Sequence, residues 1–214
     1  DLETYPRNEE QDLTTLETFD VSIAYAPPVQ EIYGEDFATR IEVGHLTECM
    51  CGIARPGFFS GVATVVAKLL NQCAPDRAYF GEKDYQQLLV VNHLSKTLNI
   101  STKIIGCPIV RTTDGLAMSS RNILLNSEER RIAPKVYEGL KLAKNLASTE
   151  KYKKVKIEVR NFFKNLSLIK LEYFTATDPF TLVEFNPNEK IKSGRGFIAA
   201  SLGKIRLIDN INMS

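Results

Sequence analysis

Arg77-Ala78-Tyr79-Phe80-Gly81-Glu82-Lys83-Asp84 is the stretch whose reading decides the fold. Residues of strand character run into a glycine turn, and Asp84 to Leu98 follows with Leu88, Val91, Leu94 and Leu98 at helical spacing. Thr102-Lys103-Ile104-Ile105-Gly106 then has the composition of a second strand. Strand, helix and strand within residues 77–106 match the length of a right-handed crossover between parallel strands, so the spacing predicts an α/β fold.

Working upstream, Ser60 is placed to cap a helix whose apolar positions Val62, Val65, Val66, Leu69, Leu70 and Cys73 recur at i, i+3, i+4, with Pro75-Asp76 ending it. Further back, Asn8 to Thr18 reads as a short amphipathic helix with Leu13, Leu16 and Phe19 on one side, and Val21 to Tyr25 as a strand stopped by Pro27-Pro28. The chain opens on a polar segment without Met, which leads to the expectation of residues missing upstream. Downstream of Pro108 the pattern changes. Ser127-Glu128-Glu129 starts a long helix to about Leu146, and Lys151 to Leu166 a second one with a basic outer face. Leu171 to Phe174, Thr181 to Val183, Gly196 to Ala200 and Ile205 to Ile208 alternate as antiparallel strands do. The expected division is a Rossmann-like domain over 1–108 and a smaller α+β domain with an antiparallel sheet over 109–214.

Composition narrows the function classes. The 214 residues are 43% hydrophobic and 25% charged, enough for a globular core. Lys plus Arg number 27 against 26 Asp plus Glu, a net charge of +1 that supplies no general field for nucleic acid. No apolar run approaches the roughly 20 residues that span a bilayer, and residues 1–7 are unlike a signal peptide, so the cytoplasm is the expected compartment. Cys49, Cys51, Cys73 and Cys107 lack C-x-x-C spacing and are expected as reduced thiols. His45, Cys49 and Cys51 could be drawn as metal ligands, but a closed zinc site needs a fourth donor that nothing nearby supplies.

Two segments carry the chemistry. In an open α/β sheet, ligands bind at the carboxyl ends of the strands, where helix N-termini present free N–H groups. Gly81-Glu82-Lys83-Asp84 sits at that address: Gly81 allows close backbone approach, Lys83 offers a point charge to a phosphate, and Asp84 could cap the helix or hold a hydroxyl. Gln86 and Gln87 follow in the first helical turn, where one of them could reach a ligand or both could be ordinary exposed glutamines. The second segment runs from Asp114 through Met118-Ser119-Ser120-Arg121-Asn122. Paired hydroxyls beside a guanidinium suit a loop that closes over a polyphosphate, with Gly115 as a plausible hinge, although a polar linker has the same composition.

Further runs, Tyr5-Pro6-Arg7, Arg55-Pro56-Gly57, Gly61 to Val66, Pro75-Asp76, Phe80 to Gln87, Asp114 to Ala117, Ser119 to Asn122 and Arg206 to Asn210, occur in that order along almost the whole chain. On these motifs the sequence resembles the pantothenate synthetases, ligases that join pantoate to β-alanine at the expense of ATP. The resemblance implies a fold of the nucleotidylyltransferase superfamily without its first strand-helix unit. It implies that Gly81, Glu82, Lys83, Asp84, Val110, Met118, Ser119, Ser120 and Arg121 contact ATP, that Gln87 with Asp84 contacts pantoate, and that Asp12 is a candidate Mg²⁺ ligand. Lys83, Ser119, Ser120 and Arg121 would stabilise phosphate charge during adenylation, the last three in a variant of the K-M-S-K-S loop. A homodimer is implied as well.

Departures from the family pattern are an absent histidine-bearing ATP motif and N-P-x-Q-F segment, and Phe58 where His is usual. Phe offers none of the hydrogen bonds of an imidazole. Two other functions stay open on the residues: a related nucleotidylyltransferase moving AMP or CMP to a phosphate acceptor, and a non-catalytic chain that binds nucleotide or only dimerises.

Overall fold

The computed structural model describes Pro6 and residues 8–214, and Tyr5 and Arg7 of the Tyr-Pro-Arg motif lie outside the described residues. Residues 1–40 and 41–214 are separate compact units. The first holds α1 (Glu9–Thr18) and the short α2 (Val29–Ile32). Asn8 starts α1, its side chain accepting from the Gln11 N–H, and the helix buries none of its residues. The strand expected at Val21 to Tyr25 is absent: Val21, Ile23 and Tyr25 are exposed and belong to no β-ladder among the described residues. Alternation marks side chains that share a face, but a strand also needs a neighbour to take its backbone hydrogen bonds.

The second unit begins with α3 (Cys51–Ala54) and α4 (Phe58–Cys73). Gly57, not Ser60, precedes α4, with φ 77° and ψ −10°. Pro56-Gly57 forms the centre of a type II turn, closed by Phe58 N–H donating to the Arg55 carbonyl at 3.1 Å, and this starts the helix before Ser60 is reached. The buried face of α4 is Phe59, Ala63, Thr64, Ala67 and Leu70, so the expected valines flank the seam and Cys73 is exposed. Small residues let α4 approach α5 (Tyr85–Thr97), which buries Leu88, Val91 and Leu94 but leaves Leu98 exposed beyond its end.

β1 (Arg77–Gly81) and β2 (Lys103–Cys107) pair in parallel on either side of α5, in register from Arg77 with Lys103 to Gly81 with Cys107. Their carboxyl ends therefore lie side by side. The long helix expected after Ser127 is two: α6 (Ser127–Ile132) and α7 (Lys135–Ala147), broken at Pro134, which has no N–H to continue the ladder. Asn126 and Glu129 form a capping box at the start of α6. α8 (Tyr152–Lys164) follows, and β3 (Ile169–Thr177), β4 (Arg195–Leu202) and β5 (Ile205–Asn212) form an antiparallel sheet with β4 in the middle. Thr181 to Val183 is not a strand: Asp178 accepts from the Phe180 and Thr181 N–H groups and folds the segment into a turn, where Leu182 takes a positive φ of 59°.

β4 is covered on both faces. Ile198, Ala200 and Leu202 join Val136, Leu140, Ala143, Val155, Val159 and Phe163 of α7 and α8, whereas Phe197 joins Ala63, Ala67, Val90 and Leu94 of α4 and α5. That second contact seats the antiparallel sheet against the parallel unit. Each buried Val, Leu or Phe contributes about 1.5–3 kcal/mol relative to exposure. The boundary expected at 108 falls inside the 41–214 unit, where parallel pairing gives way to antiparallel.

Gly139 of α7 lies against Phe163 of α8, where an added Cβ would be 2.5 Å from Phe163 Cε2. Alanine would gain up to about 1 kcal/mol in helix propensity. Overpacking against the buried Phe163 costs about 1–3 kcal/mol, so Gly139→Ala is expected to lower the urea midpoint with an unchanged slope. A raised midpoint would show that Phe163 yields freely.

Candidate active site

The turn after β1 is held by residues far along the chain. Glu82–Asp84 forms a single 3-10 turn between β1 and α5. Asn210 on β5, 1% exposed, donates its side-chain amide to the carbonyls of Glu82 at 2.8 Å and Lys83 at 2.9 Å. Arg195 donates to Asn210 Oδ1 at 2.6 Å and to Glu82 Oε2 at 3.1 Å, and lies 3.7 Å over the Tyr85 ring. With these partners Glu82 faces the sheet, while Lys83 Nζ is 3.7 Å from Asp84 Oδ1. Asp84 makes no side-chain cap bond to α5, which leaves its half-exposed carboxylate for another role.

The segment after β2 returns to the same strand end as a tight hairpin. Met118 N–H donates to the Val110 carbonyl, Arg111 pairs with Ala117, and Gly115 turns the corner with φ 93°. A side chain at Gly115 would sit 2.9 Å from Tyr137 Cδ1, so this glycine, expected as a hinge, is also a packing contact. Arg111 anchors the hairpin: it donates to both Asp209 oxygens, at 2.6 and 2.9 Å, and to the Gly115 carbonyl, and stacks 3.7 Å over Tyr137. Burial dominates at Asp209 and raises its pKa, although Arg111 pulls the other way and the Lys83 charge adds to that pull. β5 thus grips the hairpin through Asp209 and the Gly81–Asp84 turn through Asn210.

Ser119 precedes the 3-10 segment Ser120–Leu124 in extended backbone, its hydroxyl accepting from the Arg121 N–H at 3.3 Å. Asn122 ties this segment back by donating to the Ala117 carbonyl, and its Oδ1 is buried without a protein partner among the described residues. Val110 and Met118 are exposed apolar side chains beside the serines, a surface suited to a flat aromatic ligand. β5 packs against both the Glu82–Asp84 turn and the Ser120–Leu124 segment.

Arg55 is a further cation whose charge interacts with these residues. Burial, and then the charges of Arg121 and Arg206, lower the pKa of Arg55, while Cys51 and Asp84 oppose them. The charges of Arg121 and Asp84 both act on this guanidinium, to which the sequence assigned no role. Arg206 lies against Cys51 Sγ at 3.6 Å and donates to Glu172 at 2.7 Å, and Cys51 Sγ is 3.5 Å from the Tyr173 hydroxyl.

Of the glutamine pair, Gln86 is buried and fully used. Its amide donates to the Leu46 and Cys49 carbonyls and accepts from the Cys51 N–H, ordering residues 46–51. It is neither an exposed residue nor a ligand contact, whereas Gln87, one position on, is half-buried. Asp12 lies on α1 in the first unit, and among the described residues no three His, Cys, Asp or Glu side chains converge on a metal position. No helix among the described residues is long and apolar enough to cross a membrane.

Asp114 offers a pH test of the hairpin. Arg130, bonded at 2.6 and 3.3 Å, and Thr112 pull its pKa down to about 2. A depressed carboxyl contributes stability that is present above its unfolded value of about 3.9 and is lost as pH falls through about 2. Both partners are over a third exposed, so the contribution is small. Carboxyl NMR is expected to show Asp114 titrating near 2, and a midpoint near 4 would show that the Arg130 contact does not persist in solution.

A parallel strand pair whose carboxyl ends carry a lysine turn and a serine-arginine loop belongs to a fold of the nucleotidylyltransferase type. The comparisons specify it. Residues 1–212 match the family model described as Pantoate-beta-alanine ligase. Pantothenate synthetase of Caldicellulosiruptor bescii is 45% identical over 99% of this chain and 75% of its own length. The crystal structure of pantothenate synthetase from Thermus thermophilus superposes with a TM-score of 0.92 at 39% identity, over 98% of this chain and 76% of that one. Pantoate-beta-alanine ligase from Francisella tularensis, complexed with beta-gamma ATP and beta-alanine, gives 0.77 at 34% identity over 100% and 73%. The chain belongs to the pantoate-beta-alanine ligase family and spans about three quarters of these relatives' length.

Proposed function

We propose that the chain condenses pantoate with β-alanine in an ATP-dependent ligation, a step of pantothenate and coenzyme A biosynthesis. The observation that carries this reading is the family match over residues 1–212, together with a relative crystallised with an ATP species and β-alanine. In the first step a pantoate carboxylate oxygen attacks the α-phosphorus of ATP and pyrophosphate leaves. In the second, the neutral amine of β-alanine attacks the acyl carbon of the pantoyl-adenylate, an amide forms, AMP leaves and the amine loses a proton.

Neither step needs a protein nucleophile. Rate enhancement then comes from in-line positioning and from fixed positive charge near the phosphates. We assign the phosphates to Gly81–Asp84 and Met118–Arg121, with Lys83, Ser119, Ser120 and Arg121 stabilising charge, and the adenine to the exposed apolar surface of Val110 and Met118. The first-turn position of Gln87 and the half-exposed carboxylate of Asp84 support pantoate as their ligand.

Mg²⁺ favours one or two carboxylates plus phosphate oxygens over a closed protein cage, so it would arrive with the nucleotide rather than on a protein cluster. Bound with the nucleotide it would neutralise phosphate charge. A homodimer in the cytoplasm completes the reading. Incubating the protein with pantoate, β-alanine and ATP is expected to yield pantothenate, AMP and pyrophosphate in equal amounts. ATP consumption that does not depend on pantoate would overturn the assignment.

A further inference from the structure

Asn210 ends the Arg206–Asn210 run, to which the sequence assigned no role, and its side-chain amide is taken up by the turn after β1. The amide nitrogen has two N–H groups and two carbonyls to meet, that of Glu82 at 2.8 Å and that of Lys83 at 2.9 Å. The amide oxygen accepts from Arg195 at 2.6 Å. A guanidinium only donates and a carbonyl only accepts, so one orientation of the amide satisfies all three bonds. Arg195 places its other terminal nitrogen 3.1 Å from Glu82 Oε2, which ties the amide oxygen and the turn to a single guanidinium.

The two carbonyls belong to the peptide planes on either side of the Lys83 Cα. Each trans peptide is a rigid plane, so holding both carbonyls sets φ and ψ of Lys83, and with them the direction in which its Cα–Cβ bond leaves the backbone. The anchor behind the amide is rigid as well. Asn210 pairs with Phe197 of β4, whose side chain lies in the core with Ala63, Ala67, Val90 and Leu94. At 1% exposure Asn210 is too deep to touch a ligand itself.

We infer that Asn210 is a positioning residue that aims the Lys83 ammonium at the phosphates of ATP, with Arg195 fixing the orientation of its amide. The inference rests on the ATP-dependent reading above, in which neither residue carries a role. A lysine charge sits on a flexible four-carbon stem, and fixing the bond from which that stem departs narrows the positions the charge can take. The grip is on the backbone alone, so the stem stays free to follow a phosphate. Misplacing a reacting or stabilising group by about 1 Å costs on the order of 10²-fold in rate.

A double-mutant cycle with Lys83→Ala tests this, read by calorimetric titration of ATP and by pantoate-dependent ATP–pyrophosphate exchange. Asn210→Leu keeps the size and the neutrality of the side chain but has no N–H for either carbonyl. It is expected to lower exchange about 10- to 100-fold and to weaken ATP binding about three- to tenfold. In the Lys83→Ala background the same substitution is expected to change neither, since no ammonium is left to aim. A merely structural role would instead lower both by the same factor whether Lys83 is present or not. Arg195→Lys keeps the charge but not the planar fork that holds Asn210 and Glu82 together, so a smaller effect with the same coupling is expected. It takes the place of Asn210→Leu if circular dichroism shows the leucine variant unfolded. Effects of the two substitutions that multiply, or wild-type ATP binding and exchange in folded Asn210→Leu, would overturn the inference. Coupled ATP binding in a protein that makes no pantothenate would sink the reaction alone, and ligation with independent effects would sink only the positioning role.

Discussion

Replacing Lys83 by alanine is expected to lower pantoate-dependent ATP–pyrophosphate exchange by about 10²-fold or more, the loss typical of one preorganised charge stabiliser. The ammonium is the one side chain of the Gly81–Asp84 turn that bears positive charge, and it is 17% exposed. A charge held in partly excluded water acts more strongly on phosphate than one in bulk solvent. The side chain itself has little part in the fold. Asn210 grips the backbone carbonyls of Glu82 and Lys83, which alanine retains, and the contact with Asp84 at 3.7 Å is long for an ion pair. Melting temperature should therefore stay near wild type while exchange collapses. Exchange that survives would remove Lys83 from the adenylation step. A parallel fall in melting temperature would mean that the side chain holds the turn.

The largest effect on stability is expected at Arg111. Arg111→Met keeps much of the packing volume over Tyr137 but strips Asp209, 4% exposed, of both its guanidinium bonds. Leaving a buried charge without its partner costs about 3–5 kcal/mol, a large share of the stability of a domain. The sign of the pH dependence follows from the raised pKa of Asp209. With Arg111 gone that pKa rises further, the folded state takes up a proton more readily than the unfolded chain, and the deficit shrinks as pH falls from about 7 towards the unfolded carboxyl value of about 3.9. Urea unfolding of both proteins at about pH 7 and about pH 5 measures this. A deficit that is equal at the two pH values would mean that Asp209 stays ionised in the variant, with a pKa no higher than in the wild type.

These two sites sit differently in the sequence. The turn that bears Lys83 was legible because a strand, a glycine turn and a helix each leave a local pattern, and that pattern places it at the carboxyl end of a parallel strand. Asp209 and Asn210 were visible only as the end of the Arg206–Asn210 motif, just past the strand expected over Ile205 to Ile208, with no role attached. Their meaning depends on Glu82 and Lys83, 128 and 127 residues from Asn210. The same limit explains Gln86. Neighbouring glutamines in one helical turn look alike, but the helix turns one towards residues 46–51 and leaves the other half-buried. Local rules also failed where a competing one was stronger. The Pro56-Gly57 turn began α4 ahead of Ser60, Pro134 divided the helix expected to run from Ser127, and Val21 to Tyr25 alternates without a described strand to pair with.

By itself, the sequence determined the parallel unit of residues 77–107, the antiparallel sheet that follows, the two phosphate-suited segments and the family they resemble. Each rests on short-range periodicity, on turn chemistry or on a string of motifs in order. Tertiary structure alone decided how β5 clamps both segments, which glutamine orders residues 46–51, and that Arg55 lies on the Phe58 ring. The physical reason is range. Backbone propensity acts over a few residues, whereas hydrogen bonds, ion pairs and ring contacts depend on partners that meet only once the chain has folded.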